Sequence, residues 1–308
     1  MTTSLANMVK VLLALTALLS RFASALWPIP SSYSPGTSML WIDRDVEISY
    51  NLELQECVGS ATGEGILADL YPESSRNDCG IGLSQEIVNT AIQRAFSTIF
   101  DTNFVPWKFN PRTSSYEPTL SDNGYITSIT LRQNEIDPTE IGSGHSAPDE
   151  SYTVSMPLSG HVLITANSSV GLSYGLTTFS QLFFQHSKGG AYTQLAPTMI
   201  VDAPMFSHRG LNLDTSRNFF SVADLKRTLD AMAFTKLNRL HWHVTDAQSW
   251  PLEISALPEL SAAGAYAPNL VYSPGDVTEI MQYGNMLGIE TVVEIDMPGS
   301  LRCASHHS

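Results

Sequence analysis

His208-Arg209-Gly210-Leu211-Asn212-Leu213-Asp214 and, further on, Arg239-Leu240-His241-Trp242-His243-Val244-Thr245-Asp246 are two short runs that each end on an aspartate. Gly210 to Asp214 and Arg239 to Thr245 read as strands, and Val222 to Thr235 between them carries apolar residues at helical spacing. A second helical stretch, Val277 to Leu287, leads into Glu290 to Ile295, whose Thr291-Val292-Val293-Glu294-Ile295 is mostly apolar, as a strand covered on both faces should be. Strand, helix, strand, helix, strand calls for a parallel sheet with crossover helices, either an open doubly wound sheet or a (β/α)₈ barrel. Asp214, Asp246 and Asp296 each stand at or just past the carboxyl end of a strand. In a barrel that rim is where the chemistry sits.

Upstream of Pro204 the pattern differs. Tyr125 to Arg132, Tyr152 to Met156 and His161 to Thr165 read as strands between loops rich in Pro, Gly and Ser, and Ser168 to Gln185 reads as a helix able to cover one face of the resulting sheet. Ser84 to Phe100 spaces Ile87, Val88, Ala91, Ile92, Ala95, Phe96 and Ile99 as an amphipathic helix does, with Ser84 as its N-cap. Lys10, the apolar run Val11 to Leu19 and the small residues Ala23-Ser24-Ala25 have the order of a secretory signal peptide. Arg21 interrupts the run well before the roughly 20 apolar residues of a membrane span. The expected organisation is a signal peptide over 1–25, a leader or propeptide-like segment over 26–112, a small α+β domain over 113–203, an α/β domain over 204–299 and an aberrant tail over 300–308.

With 43% hydrophobic and 15% charged residues, the 308-residue chain has the composition of a protein with a core, and a formal net charge of -14 argues against nucleic acid or an anionic membrane surface as a partner. Of three cysteines, Cys57 and Cys79 lie close enough in sequence for a disulfide in an exported chain, which leaves Cys303 over. Asn167-Ser168-Ser169 is a glycosylation triplet.

Three strings carry a resemblance: His208 to Phe219, Lys236 to Asp246, and Glu294-Ile295-Asp296-Met297-Pro298-Gly299. In that order they closely resemble the first three strand motifs of family 20 glycoside hydrolases, of the fungal type. Tyr174-Gly175-Leu176-Thr177-Thr178-Phe179 is similar to the small domain ahead of that family's barrel. The resemblance implies a small α+β domain, a sheet covered by helices, followed by the first three β/α units of a (β/α)₈ barrel. It implies a β-N-acetylhexosaminidase that removes terminal N-acetylglucosamine or N-acetylgalactosamine from chitin oligomers or glycans. The substrate's own acetamido oxygen attacks in that scheme, an exception among glycosidases to paired-carboxylate chemistry. Arg217 falls on the substrate-gripping arginine and Asp246 on an aspartate that pairs with an active-site histidine. No cofactor and no metal is implied, and homodimers are a family tendency.

Beyond Gly299 the resemblance stops, with Ser300 where the family has that histidine. No Asp-Glu dipeptide follows Asp214, so the pair that orients the acetamido group and protonates the leaving oxygen is not in this sequence. A complete barrel takes about 250 residues; only about 100 follow Pro204. The 308 residues are therefore expected to be inactive on a chromogenic β-N-acetylglucosaminide and to represent an incomplete barrel, a splice product or a mis-joined gene.

Three other readings of the same residues stand beside this one. His241 and His243, at i and i+2 of one strand, could bind zinc with Asp246 in a metal-dependent barrel hydrolase. Glu294 and Asp296 share a face about 7 Å apart by strand rise, which suits the barrel interior better than two carboxylates flanking a sugar. Trp242, Trp250 and Tyr266 could stack on a sugar ring, although barrel aromatics more often pack.

Overall fold

The computed structural model describes residues 26–52, 81–102, 117–120, 124–138 and 147–297, together with 105, 113 and 141. Residues 1–25, expected to form a signal peptide, lie outside the described residues, as do Cys57, Cys79, Ser300 and the tail with Cys303.

The first of two sheets contains β1 (Ser32–Leu52), β2 (Gly124–Gln133), β3 (Tyr152–Met156), β4 (His161–Ala166), β5 (Phe184–Gln185) and β6 (Ala191–Asp202), in the order β1-β2-β4-β3-β6-β5. β6 also pairs with β1, antiparallel from Ser32↔Val201 to Ile42↔Ala191, while the far half of β1 runs parallel to β2 as far as Leu52↔Gln133. One long strand thus closes the pairing on itself, and the register slips between Ile42 and Glu47 where it changes partner. Residues 32–52, expected in a separate leader, belong to this sheet.

Helix α1 (Ile81–Ser97) continues into a π-helical turn at Thr98–Thr102 and packs on helix α2 (Ser169–Ser180). Two boundaries differ from the sequence reading. Ser84 lies inside α1 rather than capping it, and its hydroxyl donates to Asp137 Oδ2 at 2.6 Å. The expected helix to Gln185 stops at Ser180, because Phe184 and Gln185 pair with Tyr192 and Ala191 as β5. Every residue of α2 is buried, and Ser168 caps it by accepting from Gly171 N at 3.0 Å.

The second sheet is β7 (Gly210–Asp214), β8 (Arg239–Thr245) and β9 (Glu290–Ile295), all parallel in that order. Its connections are helix α3 (Val222–Phe234), then the short α4 (Glu259–Gly264), absent from the sequence reading, and α5 (Pro274–Met286). Ser221 caps α3 and Ser273 forms a capping box with Asp276 on α5, so both helix starts are set locally. Alternation along β8 buries Leu240, Trp242 and Val244 in a core shared with Leu225, Leu229 and Met232 of α3 and Ile280 of α5. The residues between them, His241 and His243, are left on the opposite face.

A polar seam joins the two parts. Arg209, just before β7, donates through Nη1 and Nη2 to the two oxygens of Glu150 at 2.8 and 2.7 Å, and Tyr174 and Asn238 reach the same carboxylate. Lys236, buried and at φ 59°, donates to Tyr152 Oη and Thr178 Oγ1 at 2.6 Å, with Asp202 3.7 Å away. Asn167 of the glycosylation triplet is engaged: its amide donates to Asp149 Oδ2 at 2.7 Å and its carbonyl accepts from Asn134 at 3.0 Å. Among the described residues no helix is long and apolar enough to cross a membrane.

Candidate active site

Cross-strand register assembles the site. Asp214 of β7 aligns with His243 of β8, and His243 with Glu294 of β9, so three side chains of one face form a row across the sheet. Asn212 and His241 form the row below.

The loop after β7 carries Arg217 and is pinned from beneath. Thr215 and Ser216 are fully buried; Thr215 N donates to His243 O at 3.0 Å, Trp242 Nε1 donates to Thr215 Oγ1 at 2.9 Å, and Ser216 Oγ donates to Ser249 O at 2.8 Å. Asp214 Oδ1 accepts from the backbone N–H groups of Ser216 and Arg217, both at 3.0 Å. The Arg217 guanidinium then spans two carboxylates, Asp214 through Nη1 at 2.6 Å and Asp246 through Nη2 at 2.5 Å. Its side chain stays 46% exposed, so the head is fixed at one edge and open to solvent at the other. Burial pushes the Asp214 carboxyl up, but hydrogen bonds from the Arg217 backbone and guanidinium outweigh it and hold Asp214 below the ordinary carboxylate range.

Sequence reasoning had placed Arg217 and Asp246 together only through the resemblance; the structure brings them into contact. The position at which the family has the histidine partner of Asp246 is Ser300 here, and it lies outside the described residues. Within them, His243 meets Asp246, Nε2 to Oδ2 at 3.1 Å. His243 Nδ1 lies 2.8 Å from Glu294 Oε2, which also takes His241 Nε2 at 2.5 Å, and Asn212 Nδ2 donates to His241 Nδ1 at 2.9 Å. Desolvation lowers the His243 pKa, yet the hydrogen bond and charge of Glu294, aided by Asp246, raise it overall. Hydrogen bonds from His243 and then His241 hold Glu294 below its usual range.

This arrangement corrects the zinc reading of His241 and His243. Both rings turn onto Glu294, and His241 is no member of the one group of potential ligands among the described residues, His243, Asp246 and Asp296, whose ligand atoms lie within 4.8 Å of one another. The positive charge on Asp246 is supplied by Arg217. Glu294 points at imidazoles of its own sheet, in agreement with an interior role rather than a glycosidase pair. Trp242 and Trp250 are buried packing residues, whereas Tyr266 is 54% exposed and its hydroxyl donates to Arg217 O at 3.4 Å. Asn212 was missed; its only signal was standing two residues before Asp214 on the same strand face.

Two family models match the chain: "beta-acetyl hexosaminidase like" over residues 26–182, and "Glycosyl hydrolase family 20, catalytic domain" over 206–307. A beta-hexosaminidase of Arthroderma benhamiae is 36% identical over 92% of this chain and 49% of its own length. The beta-hexosaminidase subunit beta of Mus musculus is 35% identical over 91% of this chain and 46% of its own. The chain thus spans about half the length of these relatives. Among solved structures, a chitobiase of Flavobacterium johnsoniae superposes with a TM-score of 0.62 at 24% identity, covering 89% of this chain and 35% of that one.

Proposed function

Because the chain belongs to family 20 of the glycosyl hydrolases, we propose that it supplies the sugar-gripping side of a β-N-acetylhexosaminidase site. The observation that carries this reading is the half-exposed Arg217 guanidinium, held at the carboxyl ends of β7 and β8 by Asp214 and Asp246. A planar, fixed guanidinium offers parallel donors to vicinal hydroxyls, and tying its other arms to carboxylates removes the entropy that a free arginine would lose on binding. Arg217 therefore binds the terminal sugar, and Asp214 and Asp246 orient it. Retaining hydrolysis assisted by the substrate's acetamido group further requires an orienting carboxylate and a proton donor. No Asp-Glu dipeptide follows Asp214 in these 308 residues, so neither role is assigned to a residue here.

The substrates proposed are the non-reducing N-acetylglucosamine or N-acetylgalactosamine ends of chitin oligomers and glycans. The order of Lys10, the apolar run and Ala23-Ser24-Ala25 supports an exported protein acting on them outside the cell. The test is a polypeptide in which residues 26–297 are joined in register to the remaining strands of the Arthroderma benhamiae relative. Release from a chromogenic β-N-acetylglucosaminide is expected, with loss on Arg217→Ala; release unaffected by that substitution would refute the assignment.

A further inference from the structure

We infer that Tyr272 is a positioning residue for Arg217: its one hydroxyl ties together both ends of the loop, Thr215 to Phe220, from which the guanidinium projects. The sugar-binding role of Arg217 on which this rests belongs to the proposed function, whereas the brace itself needs no sugar.

Tyr272 stands just ahead of α5 and is fully buried. Its backbone is fixed to the segment that follows β8: its N–H donates to Pro251 O at 2.7 Å and its carbonyl accepts from Glu253 N at 2.9 Å. From there the side chain reaches the loop between β7 and α3. The ring meets Trp242 edge-on, with centroids 5.0 Å apart, and stacks on Phe219 at 4.6 Å and 23°. The hydroxyl donates to Phe220 O at 2.6 Å and also hydrogen bonds with the Thr215 hydroxyl. Chemistry fixes the directions. The Trp242 indole offers only a donor, which it gives to Thr215 Oγ1 at 2.9 Å, and the Phe220 carbonyl only accepts. His243 O, 3.5 Å from Thr215 Oγ1, is beyond the ordinary O–H···O range. The hydrogens therefore run one way, from Trp242 to Thr215 to Tyr272 to Phe220, through three side chains that are all fully buried.

Arg217 lies between the two ends of this loop. Upstream of it the chain is held by the sheet, with Thr215 N on His243 O, Ser216 Oγ on Ser249 O, and the Ser216 and Arg217 N–H groups on Asp214. Asp214 and Asp246 hold the guanidinium itself. Neither set reaches the chain that leaves Arg217. On that side Tyr266 Oη meets Arg217 O at 3.4 Å, a long contact at an exposed position. The short contacts there, among the described residues, are those of Tyr272, ring on Phe219 and hydroxyl on Phe220 O. Removing one oxygen atom from Tyr272 cuts the tie to Phe220 and the tie to Thr215 together. The downstream half of the loop can then swing and carry the Arg217 backbone with it. Asp214 and Asp246 still attract the guanidinium, but from a backbone that no longer keeps one position.

The test uses the 308-residue chain labelled with ¹⁵N and followed by NMR relaxation at neutral pH without ligand. The Arg217 Nε resonance is identified by its loss in Arg217→Lys. In the native chain Arg217 Nε and the amides of Phe219 and Phe220 are expected to be as ordered as those of β8, with order parameters of about 0.85. Tyr272→Phe keeps the ring and its stack, and should bring Arg217 Nε and the Phe220 amide below about 0.6 while the β8 amides and the far-UV circular dichroism are unchanged. A role in stability alone would lower the melting temperature and leave Arg217 Nε as it was. Order at Arg217 Nε unchanged in Tyr272→Phe therefore overturns the inference, as does a native Phe220 amide already below about 0.6. If Tyr272→Phe does not fold, Thr215→Val, which removes the hydroxyl one link earlier, decides: a fall in Arg217 Nε order supports the brace, and unchanged order overturns it. Failure of the joined polypeptide to release N-acetylglucosamine counts against the hexosaminidase reading alone, because these signals need no sugar.

Discussion

Arg217 combines a fixed base with an open edge, and lysine cannot reproduce that. A point charge on a flexible stem would reach Asp214 or Asp246 but would not span both and still present parallel donors. In the joined polypeptide, Arg217→Lys should lower kcat/KM for the chromogenic substrate by about 100-fold, the effect of losing two charge-assisted hydrogen bonds. A loss below about 3-fold would contradict the bidentate role. Lys236 presents the opposite case, an ammonium inside the protein. Burial pushes its pKa down to about 8 from 10.5, against the pull of Asp202. Below pH 8 both folded and unfolded chains hold the proton and the burial cost is fully present. Between about 8 and 10.5 the unfolded chain binds a proton that the folded chain has released, so stability rises with pH. Relative to Lys236→Met, which lacks the group, the native chain should gain stability across that window, up to about 3 kcal/mol. Urea unfolding of both proteins at several pH values measures it, and a flat difference would show that the ammonium is not buried as described.

Helix α2 shows how an element's position reverses an ordinary propensity. Gly171 and Gly175, one turn apart, both face the sheet. A Cβ on Gly171 would stand 2.6 Å from Ser151 O, and one on Gly175 would stand 2.7 Å from Ile164 Cγ2. In an exposed helix, alanine in place of glycine stabilises by about 0.5–1 kcal/mol. Here Gly171→Ala should instead destabilise by about 2 kcal/mol, since the obstacle is backbone that cannot swing aside. Chemical denaturation gives the sign directly. At the other end of the fold, α5 is followed, just past its cap Leu287, by Gly288 with φ +74°, where a Cβ would approach Val170 of α2 to 3.1 Å. A helix-ending glycine is thus also a contact between the two parts.

At the scale of the whole molecule, the two sheets are joined largely through groups that neither could satisfy alone. Glu150 precedes β3 and accepts from Arg209, Asn238 and Tyr174, while Lys236 from the second part enters a polar site built by Tyr152, Thr178 and Asp202 of the first. Arg209 and Glu150 side chains are only 16% and 12% exposed. Removing one partner of a pair this buried leaves the other uncompensated. Glu150→Gln should cost about 3 kcal/mol and divide thermal unfolding into two steps, with the three-stranded part melting first. Calorimetry distinguishes this from a single, unshifted transition, which would mean that the clamp transmits no stability between the sheets.

What the sequence determined by itself is local and periodic. The strands β2, β3, β4, β7, β8 and β9, the helices α3 and α5, and the aspartates at the strand ends were legible because each depends on neighbours within a few positions. The ordered motifs also identified the family. Tertiary structure alone decided the rest, because the partner lies far away in sequence. β1 and β6 were unreadable as paired strands: Pro35 and Pro197 punctuate them, and their pairing joins residues at opposite ends of the first part. Ser84 resembled a cap until Asp137 claimed its hydroxyl. His241 and His243 resembled metal ligands until register set Glu294 beside them. Strand period places both rings on one face, but only the packed sheet decides which atom each ring nitrogen meets.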